Sequence, residues 1–201
     1  MKKIFDFSNS LLKNYKSFNI DDIEVMVSEN INVSVKSRHQ KLENIERSKN
    51  SSIGINIFKD KRKATLTSNN IENADAKEFL EKGSAMVRSM PVDEFSGLAE
   101  KKEYSTTLED LDLEDTIKID DKELLNQALT AEESMLNNKA VTNSEGSTRS
   151  FSKNIFSIVN SKDFRASYSK TYHSISSIAI AGSDTNMQRD YEYSAAIHAD
   201  D

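Results

Sequence analysis

The sequence predicts an α+β fold in which helices pack on antiparallel β-meanders, ordered helix–meander–helix and then helix–meander. Three observations carry this. Apolar residues near the amino end recur at helical spacing. From Ile23 the period drops from 3.6 to 2. Beyond residue 120 the same order returns, a helix and then alternating strands.

Ile4, Phe7, Leu11 and Tyr15 fall on one helical face with Leu12 beside them, which predicts a helix over 3–16. Asn19 and Asp21 suit the turn that follows. Ile23, Val25 and Val27 alternate with polar residues, and so do Ile31, Val33 and Val35. With 28–30 as a connector these read as a hairpin. A third strand is expected over 42–47. A fourth starts at Ile53 with Ile55 and Ile57 on one face, and Asp60 and Lys61 turn it into a fifth holding Ala64 and Leu66. A second helix spans 74–88, capped by Asn73, with Ala76, Phe79, Leu80, Gly83 and Val87 as its buried stripe. Pro91, the only proline, follows its end.

The stretch 92–119 reads as an acidic connector, so 1–201 forms one α+β region divisible into 1–91 and 120–201. A third helix covers 121–138, its face built by Leu124, Leu125, Ala128, Leu129, Glu132, Met135 and Leu136. Strands are then expected over 141–150, 152–160, 164–181 and 188–197, with turns at 160–163 and 182–186.

Composition excludes several classes. The chain has 201 residues and a net charge of −6. It has no cysteine, so thiolate nucleophiles, thiolate metal sites and disulfide scaffolds are absent. No apolar run is long enough for a membrane helix, and the first residues lack the pattern of a cleaved signal. A cytoplasmic protein is expected, with no membrane partner. The segment 36–63 is basic but carries a single aromatic, Phe58, and the chain is acidic overall, so no nucleic-acid partner is expected.

Catalytic patterns are scarce. The three histidines, His39, His173 and His198, form no H-E-x-x-H and no i, i+4 pair. The five glycines build no phosphate loop. His173 and Ser174 are adjacent on a strand and so point to opposite faces, which cannot make a nucleophile and its base. Two local signals remain. Within Asn143-Ser144-Glu145-Gly146-Ser147, the glycine implies a bulge or a close backbone approach, and a tight turn is the simplest reading. In Gln188-Arg189-Asp190-Tyr191, Arg189 and Tyr191 share a face and Asp190 takes the other.

Four stretches together resemble the TldD/PmbA family, once labelled modulators of DNA gyrase, and resemble the PmbA (TldE) branch more. Arg38-His39-Gln40-Lys41-Leu42-Glu43 is similar to the family's R-x-G-x-x-E strand, with Gln40 in place of glycine. Residues 52–63 are similar to its G-I-x-V-x-x-x-x-R-K-G hairpin, with Ala64 where the final glycine stands. Asn143-Ser144-Glu145-Gly146 is like N-x-E-G. His173-Ser174-Ile175-Ser176 followed by Met187-Gln188-Arg189-Asp190-Tyr191 is like the H-S-x-S and M-x-R-D-Y pair.

The resemblance implies a TldD/PmbA amino-terminal α+β domain, with the family's β-rich carboxy-terminal domain absent. It implies a zinc metallopeptidase complex, a heterodimer acting in proteolysis of unfolded peptides. There the zinc motif belongs to the TldD-like chain and the PmbA-like chain helps shape the peptide channel. This chain is then expected to be a non-catalytic part of a PmbA/TldE-like subunit and a split or truncated product. Its expected partners are a TldD-like subunit, a separate carboxy-terminal half, or both. No catalytic, cofactor or metal residue is expected in it; zinc is expected in the partner. The signature residues Asn143, Glu145, Gly146, His173, Ser174, Arg189, Asp190 and Tyr191 carry no assigned role. The alternatives are a stand-alone peptide-binding module using its sheet edges and a non-functional remnant.

Overall fold

The computed structural model describes residues 2–70, 74–105, 107 and 109–201. The side chain of Ile4, the proposed cap Asn73 and Leu108 lie outside the described part. Helix α1 (Lys2–Asn14) leads through a 3-10 turn (Tyr15–Phe18) into β1 (Asp22–Arg38), β2 (Lys41–Lys59) and β3 (Arg62–Ser68). Helix α2 (Ala76–Arg88) follows. Helix α3 (Asp121–Leu136) then precedes β4 (Val141–Asn160), β5 (Arg165–Ala181) and β6 (Gln188–Ala196). The strands form one six-stranded sheet in the order β3-β2-β1-β4-β5-β6. The β2–β3 and β5–β6 pairs are antiparallel. The fold is the expected α+β.

Three expected strand breaks do not occur. β1, β2 and β4 each run unbroken through the places where a connector was read at 28–30, between 47 and 53, and near 151. The reason is visible in β1: Ile23, Val25, Val27, Ile31, Val33 and Val35 all stand at odd positions, with Met26 alone on the other face, so the alternation never slips and no reversal is needed. Tight two-residue hairpins need two left-handed residues. His39 and Gln40 (φ 52° and 54°) and Asp60 and Lys61 (48° and 58°) supply them; Ser28–Asn30 do not.

The chain divides into two compact units that interleave along the sequence: Met1–Glu29, Asn50–Asp110 and Ile155–Tyr168 in the first; Asn30–Lys49, Leu111–Asn154 and Ser169–Asp201 in the second. In the first unit, Ile23, Val25, Ile53, Ile55 and Ile57 turn one sheet face toward α1 and α2. Phe7, Leu11, Leu80 and Val87 come from the helices to meet them. Each buried side chain of this size contributes about 1.5–3 kcal/mol of transfer free energy. Phe7 and Phe79 meet edge to face at 5.6 Å. A Cβ on Gly83 would sit 1.9 Å from Ile57 Cδ1, so α2 lies tight on the sheet. Asp75 caps α2 by accepting from Lys77 N at 2.8 Å.

In the second unit, the apolar cluster is small: Val33, Val35 and Leu124, flanked by Ile119 and Leu125. Asp120 caps α3 through Lys122 N at 3.1 Å. Leu124, Ala128 and Glu132, spaced by four, are the residues α3 buries. Apart from Ala128, Phe151 and Gly146, the other buried residues of this unit are polar, and they hold the site.

Candidate functional site

A glutamate at the end of an apolar stripe must find partners or pay for its desolvation. Glu132 is fully buried. Its Oε1 accepts from His39 N at 2.8 Å and from Ser144 Oγ at 2.7 Å, and its Oε2 accepts from Gln40 N at 3.1 Å. The carboxylate therefore holds the β1–β2 turn through two backbone amides that a left-handed turn leaves free. Gln40 adds a bond from Nε2 to Leu129 O at 3.1 Å. Gln40 occupies the position where the resemblance expects glycine, and its φ of 54° explains that expectation.

Glu132 also organises the Asn143–Ser147 segment. Ser144 Oγ, while donating to Glu132, accepts from Gly146 N at 2.8 Å. Gly146 has φ +104°, and a Cβ there would lie 2.3 Å from Ser37 O. The close backbone approach is real; the simple tight turn is not, because the segment lies inside β4. Asn143 Oδ1 accepts from Ser144 N at 2.8 Å. Glu145 reaches Arg189 Nε at 3.0 Å, both side chains partly exposed. Asn143, Glu145, Gly146 and Arg189 thus form one neighbourhood.

His173 belongs to another. In the β5–β6 ladder His173 pairs with Ala196, whereas Arg189 and Tyr191 pair with Ile180 and Ile178. Partners share a face and neighbours alternate, so His173 faces away from Arg189 and Tyr191. Ser174 lies on the side opposite His173, its Oγ 3.1 Å from Ser150 Oγ. Asp190 Oδ1 accepts from Tyr191 N at 2.9 Å. Tyr191 and Tyr193 stack at 6.5 Å on one face of β6, 62% and 64% exposed.

His173 is 3% exposed and Arg149 7%. The imidazole lies 5.1 Å from the Phe151 ring. Its Nδ1 lies 3.4 Å from Arg149 Nη2 and its Nε2 3.1 Å from Asp115 Oδ2. Burial, and then the Arg149 charge, hold its pKa below the ordinary value, so it is neutral. Nδ1 faces a donor, so the proton belongs on Nε2, toward Asp115. Asp115 accepts from Ile117 N (2.9 Å) and Ala199 N (2.8 Å); these bonds hold its pKa below the carboxylate norm. Beside the cluster, Thr171 Oγ1 accepts from Asp115 N at 2.8 Å and donates to Ile197 O at 2.9 Å.

The donor set does not suit zinc. One nitrogen of His173 faces a guanidinium and the other a carboxylate already committed to two amides. Among the described residues no three of His, Asp and Glu gather within metal-binding reach. Glu132, Arg149, Asp115 and Thr171 were not singled out in the sequence as site residues. A glutamate in line with Leu124 and Ala128 was the legible signal for the first.

Two family models match in order along the chain: PmbA/TldA metallopeptidase domain 1 over residues 23–87 and the PmbA/TldA metallopeptidase central domain over 106–201. This chain belongs to the PmbA/TldD metallopeptidase family. The metalloprotease PmbA of Escherichia coli O157:H7 is 28% identical over 193 residues, which span 96% of this chain and 43% of that protein. The PmbA homologue of Haemophilus influenzae is 27% identical over 171 residues, 85% of this chain and 38% of its own length. The chain thus spans less than half the length of these relatives. Among solved structures, one named as a modulator of DNA gyrase from Bacteroides thetaiotaomicron aligns over 98% of this chain and 45% of its own, with TM-score 0.85 and 16% identity. TldE from Thermococcus kodakarensis aligns over 95% of this chain and 43% of its own, with TM-score 0.76 and 14% identity. Both share the fold. Among the described residues no helix is long and apolar enough to cross a membrane.

Proposed function

We propose that this chain is a non-catalytic amino-terminal part of a PmbA/TldE-like subunit, working in the cytoplasm within a TldD-type zinc metallopeptidase assembly on unfolded peptides. The observation that carries the reading is the tiling of two PmbA/TldA domains along the chain in family order. The His173 surroundings support the non-catalytic role, since a buried guanidinium beside the imidazole opposes a bound cation. Zinc then belongs to a TldD-like partner. The chain's own part is a braced sheet: Glu132 fixes the β1–β2 turn and the Asn143–Gly146 segment, and Glu145 ties β4 to Arg189 on β6. The test is co-purification with a TldD-like chain from the same genome. Retention at micromolar concentration is expected; folded chain that elutes alone overturns the reading.

A second reading, a stand-alone peptide-binding module, has one observation in its favour. β6 is an outermost strand, and every residue from Gln188 to Ala195 is exposed. Free strand edges accept extended peptides. Titration of the isolated chain with an unstructured peptide blocked as an amide at its carboxy terminus decides between the readings, because a free sheet edge binds peptide backbone and needs neither a partner nor a terminal carboxylate.

A further inference from the structure

Beside Arg149 and His173 lies a cavity of about 530 Å³ within the second unit. It falls in the range of small-molecule sites. Helix α3 borders it through Asn126, Gln127 and Thr130; β6 borders it through Ser194 and Ala196. Ser194 pairs with Ile175 and Ala196 with His173, so these residues share the face on which His173 lies.

Arg149 is the unusual member. A buried guanidinium is ordinarily matched to a carboxylate. Here Nε donates to Gln127 Oε1 at 2.7 Å, and Nη1 donates to the Ser150 and Ser174 carbonyls at 3.2 and 3.1 Å. Nη2 faces His173 Nδ1 at 3.4 Å. All four partners are neutral, and of the five N–H groups that arginine carries, one on Nη2 is left over. Asp115 does not supply the missing charge in this network, because its oxygens serve Ile117, Ala199 and His173. Glu123 is one residue removed, reaching Arg149 only through Gln127, whose Nε2 donates to it at 3.0 Å.

We infer that this cavity binds a monocarboxylate, with Arg149 as the counter-charge and Ser194 and His198 at its border. Glu123 and Asp201 also line the cavity. Their charges oppose a polyanion such as phosphate and suit a ligand whose carboxylate is accompanied by an ammonium group or a neutral chain. Two sources share this chemistry: a small free carboxylate, and the carboxy terminus of a short peptide. The inference stands apart from the assembly proposed above, since a chain that binds no TldD-like partner can still bind a carboxylate.

The test is calorimetric titration of the whole chain with acetate, trialanine, trialanine amide and inorganic phosphate. Saturable binding of a carboxylate ligand below about 10 mM is expected. The amide and phosphate are expected neither to bind nor to compete. Trialanine binding more tightly than acetate identifies a peptide terminus as the source, and equal binding identifies a small free acid. Arg149→Gln is expected to weaken binding at least about tenfold. Because Arg149 is also part of the interior, Thr130→Glu provides a second variant. It places a negative charge at an exposed position on the border, and the same direction of effect is expected. The inference is overturned if neither acid binds, if the amide binds as well as the acid, or if folded Thr130→Glu binds unchanged.

Discussion

The two units solve the problem of an interior differently. Among the described residues, the first buries a cluster of eleven apolar residues between its sheet and α1 and α2. The second buries three in its cluster and fills much of the remainder with Ser37, Glu132, Ser144, Ser147, Arg149, Thr171 and His173. Apolar burial is non-directional, and a neighbour can relax into a small change. A polar interior is directional: each donor needs its acceptor in place, and one missing partner leaves the others buried and unpaired. The signature residues that resemble the family gather in the second unit, where geometry is set by hydrogen bonds rather than by volume.

This contrast can be broken from either side. Ile57→Ala removes a fully buried side chain from the first unit and is expected to cost about 2–5 kcal/mol, read as a lower midpoint in urea. Glu132→Leu is volume-conserving and would be mild in an apolar core. Here it strands His39 N, Gln40 N and Ser144 Oγ, and a loss of about 2–4 kcal/mol is expected in the same measurement, with Glu132→Gln recovering part of it. If Glu132→Leu proves neutral, the second unit is held by packing after all.

Gln40→Gly sharpens the comparison in the opposite direction. A non-glycine residue in the left-handed region costs roughly 1–2 kcal/mol, offset in part by the loss of its bond to Leu129 O. A gain of up to about 1 kcal/mol is expected, seen as a raised melting temperature.

The smallest effect is a pH slope. The folded pKa of His173 lies below its ordinary 6.5, so below about that pH the unfolded chain binds the extra proton and stability falls. His198, whose pKa is held above the ordinary value chiefly by its bond to the Asp112 backbone, acts in the opposite sense, so the effect is read as a difference: relative to His173→Asn, the protein is expected to lose melting temperature as pH drops through 6.5. Asp115 acts in a separate window, losing its contribution only as pH falls through and below 3.8.

Much of the fold was legible because two periods are hard to mistake. The helices fall near their expected bounds, and Asp60 and Lys61 make the expected turn. The strand breaks expected in β1 and β2 fail for one reason: polar residues inside a long strand look like a connector when only the apolar positions are counted. The tolerance of Gly146 for a close backbone approach was legible; the identity of the approaching group, Ser37 O, was not. The role of His173 was obscured because Arg149 and Asp115 lie 24 and 58 residues away in sequence, and no spacing rule links them.

The sequence by itself determined which residues alternate, which line a helix face, where the chain can turn, and the family whose motifs it carries. These properties depend on neighbours within a few residues, where chain geometry leaves little choice. Only the tertiary structure decided that Glu132 holds a turn made by His39 and Gln40, that His173 and Arg189 face opposite ways, and that a cavity lies beside Arg149. Each of those depends on which distant segments meet, and a buried polar group acquires its role from the partner it meets there.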